Sequence, residues 1–216
     1  MSDKLIAYYA RRAKEYDEVY RKPERQAELA TLAEWLRGEV AGARVLEVAC
    51  GTGYWTGIMA QSAASVLATD ASPEMIEVAE SKIGPDSPVR FQVANLYALE
   101  PEFRAFDTVF GGFIWSHIPL QNLPDFLVSL HAQVGKGGKI LFVDNTFVPG
   151  HSTPIAHTDR DGNTYQSRQL ADGSRFQVLK NYPTKKQIKG LLNNVALDLR
   201  FTRLPYYWTL SYTLAV

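Results

Sequence analysis

The residues whose types and spacing suit chemistry fall in a few short stretches of this 216-residue chain. His117, within Gly112-Phe113-Ile114-Trp115-Ser116-His117-Ile118, is a candidate general base, because an unperturbed imidazole titrates near neutrality. The plainer alternative is a ring that caps a helix or bonds a backbone carbonyl. Asp70 ends the apolar run Ser65-Val66-Leu67-Ala68-Thr69-Asp70, where a carboxylate can accept a pair of ribose hydroxyls. Upstream, Glu47-Val48-Ala49-Cys50-Gly51-Thr52-Gly53 takes an apolar run into a glycine turn, a geometry that brings a ligand against bare backbone. His151 and His157 form no metal-ligating set with nearby acids, so no metal is expected.

Elements that could position these groups are legible in the pattern. Residues 4–20 and 24–37 read as amphipathic helices, and Ser72-Pro73-Glu74 marks the start of another, with a serine cap and proline in the first turn. Further helices are predicted over 54–63, 123–133 and 184–195. Strands are predicted at 44–49, 65–70, 89–93 and 106–113, with Gly137-Gly138 as a turn into a fifth. Strands alternating with helices predict an α/β fold, a Rossmann-like doubly wound sheet of seven mostly parallel strands. Segments 198–204 and 206–214 predict an antiparallel terminal hairpin at the sheet edge. The polar stretch 150–182, with Asp161-Gly162 and Ala171-Asp172-Gly173 as turns, reads as a β-hairpin added to the sheet. The whole, 1–216, is expected to be a single domain: an N-terminal helical lid (1–40), a core (41–148), a hairpin insertion (149–182), and a C-terminal helix with strands (183–216).

Composition narrows the function. With 23 basic and 23 acidic residues the formal net charge is zero, which disfavours a nucleic-acid partner. Cys50 is the single cysteine, so no intrachain disulfide can form, and it is expected to be a small buried apolar residue. No apolar run reaches the ~18 residues of a membrane span and no signal-peptide core follows Met1, so the expectation is a cytoplasmic protein with no membrane partner.

Taken in order, Glu47–Gly53, Asp70-Ala71-Ser72-Pro73-Glu74-Met75, Phe106-Asp107-Thr108-Val109 and Gly137-Gly138-Lys139-Ile140 resemble the motifs of class I S-adenosylmethionine (SAM) dependent methyltransferases over residues 44–144. The resemblance implies SAM as cofactor and S-adenosylhomocysteine (SAH) as product. It implies that Gly51, Thr52 and Gly53 line the methionine end with Glu47 beneath, that Asp70 binds ribose, and that Ala71 and Met75 flank adenine. Asn95, where many members carry aspartate, would meet the adenine amine, Leu96 would offer its N–H, and Gly112 would border the cofactor. Tyr8, Tyr9 and Tyr16-Asp17 resemble the tyrosine-rich lid of small-molecule members. There Tyr16 would cover the sulfonium, while Tyr8, Tyr9, Arg11, Trp115 and His117 would contact substrate, with His117 and Tyr16 as the catalytic pair. Arg11, Arg12 and Lys14 also read as a solvated face.

Methyl transfer from a sulfonium is an in-line displacement that needs positioning and, for some acceptors, removal of a proton. Gly111-Gly112-Phe113-Ile114 differs from the Asp/Asn-Pro-Pro-aromatic motif of enzymes that methylate base amines, so the expected acceptor is an oxygen or nitrogen of a small metabolite. An NAD(P)-dependent oxidoreductase is the competing reading, disfavoured by Thr56 where a third glycine belongs and by the lack of a tyrosine–lysine pair. A non-catalytic SAM-binding protein is another. An aminopropyltransferase would need an acidic polyamine pocket, and none is found. A homodimer is a further expectation.

Overall fold

Aliphatic strands separated by amphipathic helices give this chain two apolar layers. The computed structural model describes residues 3–13, 15–97, 106–170 and 172–215. Strands β1 (Arg44–Val48), β2 (Ser65–Asp70), β3 (Val89–Val93), β4 (Phe106–Gly112), β5 (Val134–Asn145), β9 (Ala196–Arg203) and β10 (Tyr207–Leu214) form one sheet. Its order is β3-β2-β1-β4-β5-β10-β9. β1 to β5 pair in parallel, and β10 runs antiparallel to both β5 and β9. The order reverses between β1 and β4, which opens a crevice at their carboxyl ends.

Alternating side chains supply both faces. Leu46, Val109 and Phe142 pack under α5 (Leu123–His131) and α6 (Lys185–Leu192). Val45, Phe110 and Leu141 pack under α2 (Gln26–Glu39) and α3 (Tyr54–Met59). Ser72 caps α4 (Pro73–Lys82) by accepting the Met75 N–H at 3.3 Å, as its sequence predicts. Thr184 and Gln187 close a reciprocal capping box on α6.

Three readings change. The helix expected over 4–20 stops as α1 (Asp3–Arg12), and a 3-10 turn, Tyr16–Tyr20, takes over; Lys14 lies outside the described residues. Gly137-Gly138 lies inside β5 rather than before it, at an irregularity in the β4–β5 pairing. The insertion is not a hairpin extending the main sheet but a separate three-stranded antiparallel sheet of β6 (His157–Thr158), β7 (Thr164–Gln169) and β8 (Arg175–Leu179). α1 docks on it, with Leu5 and Tyr8 packing against Val178. Among the described residues no helix is long and apolar enough to cross a membrane.

The end of β4 tolerates no side chain at Gly111, where a Cβ would stand 2.8 Å from Ile114 Cγ2 and 2.9 Å from Phe142 Cε1. Overpacking of this kind costs about 1–3 kcal/mol. Gly38, in α2, has nothing within 4 Å of an added Cβ, and replacing a helical glycine gains about 0.5–1 kcal/mol. Urea unfolding should therefore move to lower midpoint in Gly111→Ala and higher in Gly38→Ala. Equal midpoints would refute this packing.

Candidate active site

The first crossover sets the backbone of the site. After β1 the chain takes left-handed conformations at Ala49, Gly51 and Gly53, with φ of 55°, 57° and 79°. At Gly53 a Cβ would also come 3.0 Å from Ala79 Cβ, so this glycine lets α3 start close against α4. Asp70, ending β2, closes the turn. Its Oδ2 accepts the Gly51 N–H and its Oδ1 the Ser72 N–H, each at 2.9 Å. Each oxygen keeps acceptor capacity for a hydroxyl. Burial raises the Asp70 carboxyl from its ordinary value despite those amide donors.

Gly51, Asp70, Met75, Gly112, Tyr9 and Tyr16 border a cavity of about 50 Å³ at this crevice. Ligand pockets run to about 300–1,000 Å³; here Tyr9 and Tyr16 of the N-terminal segment close over the crevice. Two contacts hold that segment. The Asp17 carboxylate accepts from the Thr52 hydroxyl and from Lys82 Nζ, both at 2.5 Å, and Tyr20 stacks on Tyr54 with centroids 3.7 Å apart.

A second construction places His117. Residues 179–181 run alongside 116–118. His117 Nδ1 lies 2.6 Å from the Leu179 carbonyl, the Asn181 N–H reaches the Ser116 carbonyl at 2.8 Å, and Asn181 Nδ2 reaches the Ile118 carbonyl at 3.1 Å. Lys180 Nζ donates to Ser116 Oγ at 2.6 Å and to Asp144 at 3.0 Å, and Asp144 also accepts the Ser116 N–H at 2.9 Å. A carbonyl only accepts, so Nδ1 of His117 carries the proton and Nε2 offers its lone pair. Tyr9 Oη lies 2.7 Å from Nε2 and donates to it. Burial, then the Lys180 and Arg168 charges, hold His117 well below its usual pKa, and burial pushes the Tyr9 phenol up to about 12. Both are neutral at pH 7.

His117, Tyr9, Tyr16 and Phe113 also border a larger cavity of about 530 Å³, where Arg12, Lys22, Arg25, Arg168 and Lys180 outnumber the acids Glu15 and Glu18. Lys180 is matched by Asp144. Among the described residues no acid pairs with Arg168: its Nε and Nη2 donate to Gln166 Oε1 at 3.1 and 2.7 Å, and Tyr8, Tyr9, Tyr16, His117 and Lys180 lie within its electrostatic reach.

Several expected site residues are placed elsewhere. Trp115 is 1% exposed and packs edge-on against Phe142 and Trp208, so it is core on this side and does not reach the cation-lined cavity. Arg11 faces outward beside Asp172 at 3.9 Å, whereas Arg12, read as solvated, lines the cavity. Asn95 Oδ1 accepts the Tyr97 N–H at 3.0 Å and keeps a second lone pair, and Asn95, Ala71 and the buried Leu96 lie outside the 50 Å³ space. Thr52 and Gly53 act through the lid contact and helix packing. Tyr8 and Tyr207 line the 530 Å³ cavity. Lys180 and Asp144 carry no local signal in the sequence: Lys180 reaches Ser116 only because residues 179–181 run alongside 116–118, and Asp144 meets Ser116 from β5. Among the described residues no group of three His, Cys, Asp or Glu side chains is placed to hold a metal.

Comparison with known proteins bears on this crevice directly. A methyltransferase-domain family model matches residues 45–138. Over 169 residues the chain is 32% identical to the ubiquinone biosynthesis O-methyltransferase of Xanthomonas euvesicatoria pv. vesicatoria, covering 76% of this chain and 66% of that protein. The chain belongs to the class I SAM-dependent methyltransferases. It spans about two thirds of that relative's length. It superposes on DhpI in a complex with SAH with a TM-score of 0.81 and 29% identity, over 100% of this chain and 99% of that one. A DhpI complex with SAM and a ligand denoted HEP gives 0.79, also at 29% identity, over 98% and 99%.

SAM is the cofactor of this methyltransferase family, and the crevice fits it. Asp70 retains acceptor capacity at the nucleoside end, Gly51 leaves its backbone bare, and Glu47 Oε1 is buried with no hydrogen-bond partner among the described residues. Glu47 Oε2 accepts from the Thr56 hydroxyl at 2.5 Å. Burial nonetheless pushes this carboxyl from 4.5 up to about 8, and the Asp70 charge adds to the rise.

A group raised in this way contributes stability that is complete below its unfolded pKa and lost as pH rises through its folded one. The free protein should therefore become less stable between about pH 4.5 and pH 8. In thermal melts Glu47→Gln should flatten that decline; identical slopes in both proteins would remove Glu47 as its source. Separately, Asp17→Ala should speed SAH dissociation in stopped flow about three- to tenfold, the scale of a partly exposed charge-assisted bond. An unchanged rate would mean that Asp17 does not hold the lid.

Proposed function

We propose that this chain transfers a methyl group from SAM to a hydroxyl oxygen of a small acceptor that also carries an acidic group. The observation that carries the reading is the hydrogen-bonded Tyr9–His117 pair at the boundary between the cofactor crevice and a cation-lined cavity. Bound SAM supplies an electrophilic methyl group. The remaining requirements fall to the chain's own side chains.

Arg168 has no acid partner among the described residues and is suited to anchor the acceptor's anionic group, with Arg12 on the same wall. The tautomer fixed by the Leu179 carbonyl leaves Nε2 free to take a proton. Tyr9 Oη donates to Nε2 and keeps its own lone pairs toward the cavity, so a hydroxyl there loses its proton to Tyr9 as the Tyr9 proton moves to His117. Tyr16 is held neutral by burial and forms a wall common to both cavities, which excludes water from the junction. The Xanthomonas relative is named an O-methyltransferase, which accords with an oxygen acceptor, and DhpI forms a complex with SAM and HEP.

A general-base role contributes about 10²–10⁴-fold. His117→Ala should lower kcat by that order with SAM affinity within threefold of wild type. Because the imidazole sits well below 6.5, the wild-type rate should stay level from pH 6.5 upward and fall only in acid. Arg168→Gln should instead raise KM for the acceptor about tenfold or more, the scale of a charged hydrogen bond. A His117→Ala enzyme with near wild-type turnover would show that the acceptor oxygen arrives already ionised. SAM binding without turnover on any hydroxy acid would favour a non-catalytic binding protein.

A further inference from the structure

Beyond the cation-lined cavity lies a second one of about 590 Å³, walled by Leu120, Leu123, Phe147, Ile155, Leu191 and the indole of Trp115. The two share Tyr182, and they lie along the same strip of chain. Thr153, Gln166 and Lys180 face the first, while Ile155, Thr164 and Asn181 face the second. Tyr182 stands between the two. Tyr182 Oη accepts from Gln166 Nε2 at 2.8 Å, and Gln166 Nε2 also donates to the Thr153 carbonyl at 2.7 Å.

Most polar groups lining the second cavity are already engaged. Asn181 Nδ2 donates to the Ile118 carbonyl and Asn163 Oδ1, and its Oδ1 accepts the Thr164 N–H. The Thr164 hydroxyl donates to the Lys180 carbonyl, and Gln187 Oε1 is held in the α6 capping box. What remains is hydrocarbon surface, with Ile155 at 40% exposure on its rim. A cavity of this kind favours apolar atoms and offers a polar ligand no compensation for lost water.

We infer that the acceptor is an amphiphile, with its hydroxyl and acid group in the cation-lined cavity and an alkyl chain passing over Tyr182 into the apolar one. This rests on the proposed anionic acceptor and adds its second half.

The test is a calorimetric titration of SAH-loaded full-length protein with straight-chain 2-hydroxyalkanoates of four to twelve carbons. Affinity should climb by up to about fourfold per methylene once the chain passes Tyr182, then level off. Gly190 lines the apolar cavity, and an added Cβ there meets nothing within 4 Å. Gly190→Phe should fill the space and abolish the climb, leaving 2-hydroxybutyrate and SAH affinities unchanged. Ile155→Asp should do the same by placing charge at the rim. Arg168→Gln should weaken every chain length by one common factor.

A flat series in the wild type, or a climb that survives both cavity variants, overturns the inference while leaving the anionic acceptor intact. Long acids that bind Arg168→Gln as tightly as wild type also overturn it, since the tail would then bind without the head. Failure of every acid to bind SAH-loaded protein overturns the acceptor reading and this extension together.

Discussion

The buried Asp144 carboxylate, at the carboxyl end of β5, is the constraint around which the site is assembled. It holds the Ser116 N–H and hydroxyl on one side and the Lys180 ammonium on the other. Lys180 is 3% exposed and Asp144 is fully buried. Such a pair contributes little net stability, because desolvation offsets attraction, but losing either partner strands a charge and costs about 3–5 kcal/mol. Its effect is positional. Ser116 precedes His117, and Lys180 follows the carbonyl that fixes the His117 tautomer. One ion pair thus ties the small sheet to the main one and sets the orientation of the imidazole.

The cofactor half of the site was legible because its determinants are local. A strand, a glycine turn and the acid at the end of the next strand are separated by few residues, and their geometry follows from backbone rules. Asp70 and Ser72 sit where their residue types require. The acceptor half was not legible in the same way. Arg168 and Lys180 look like ordinary charges on polar strands, and nothing in their neighbours' sequence shows that β7 and β8 fold back over β4. Even so, His117 could be singled out from its place after β4.

The misplacements have the same origin. Arg11 and Arg12 are adjacent, and a shift of one residue on a helix decides which reaches the cavity; the pattern did not fix where α1 ends. The aromatic character of 8–20 read as one continuous helix, but the chain leaves α1 after Arg12 for a 3-10 segment, and that segment brings Asp17 to Thr52 and Lys82. Trp115 was assigned to a pocket wall by sequence proximity to His117. On a 3-10 turn neighbouring side chains diverge, and Trp115 packs in the core away from the cation-lined cavity, on the side of the apolar one.

The sheet order carries an implication for assembly. β10 is last in the chain yet lies between β5 and β9, so β9 has no partner in the sheet until β10 arrives. Tyr207, at the start of β10, pairs with Asn145 and walls the cation-lined cavity. During synthesis the turn after β1 and its closing acid Asp70 are made long before β10, whereas the wall that Tyr207 gives the cation-lined cavity is in place only once β10 inserts beside β5.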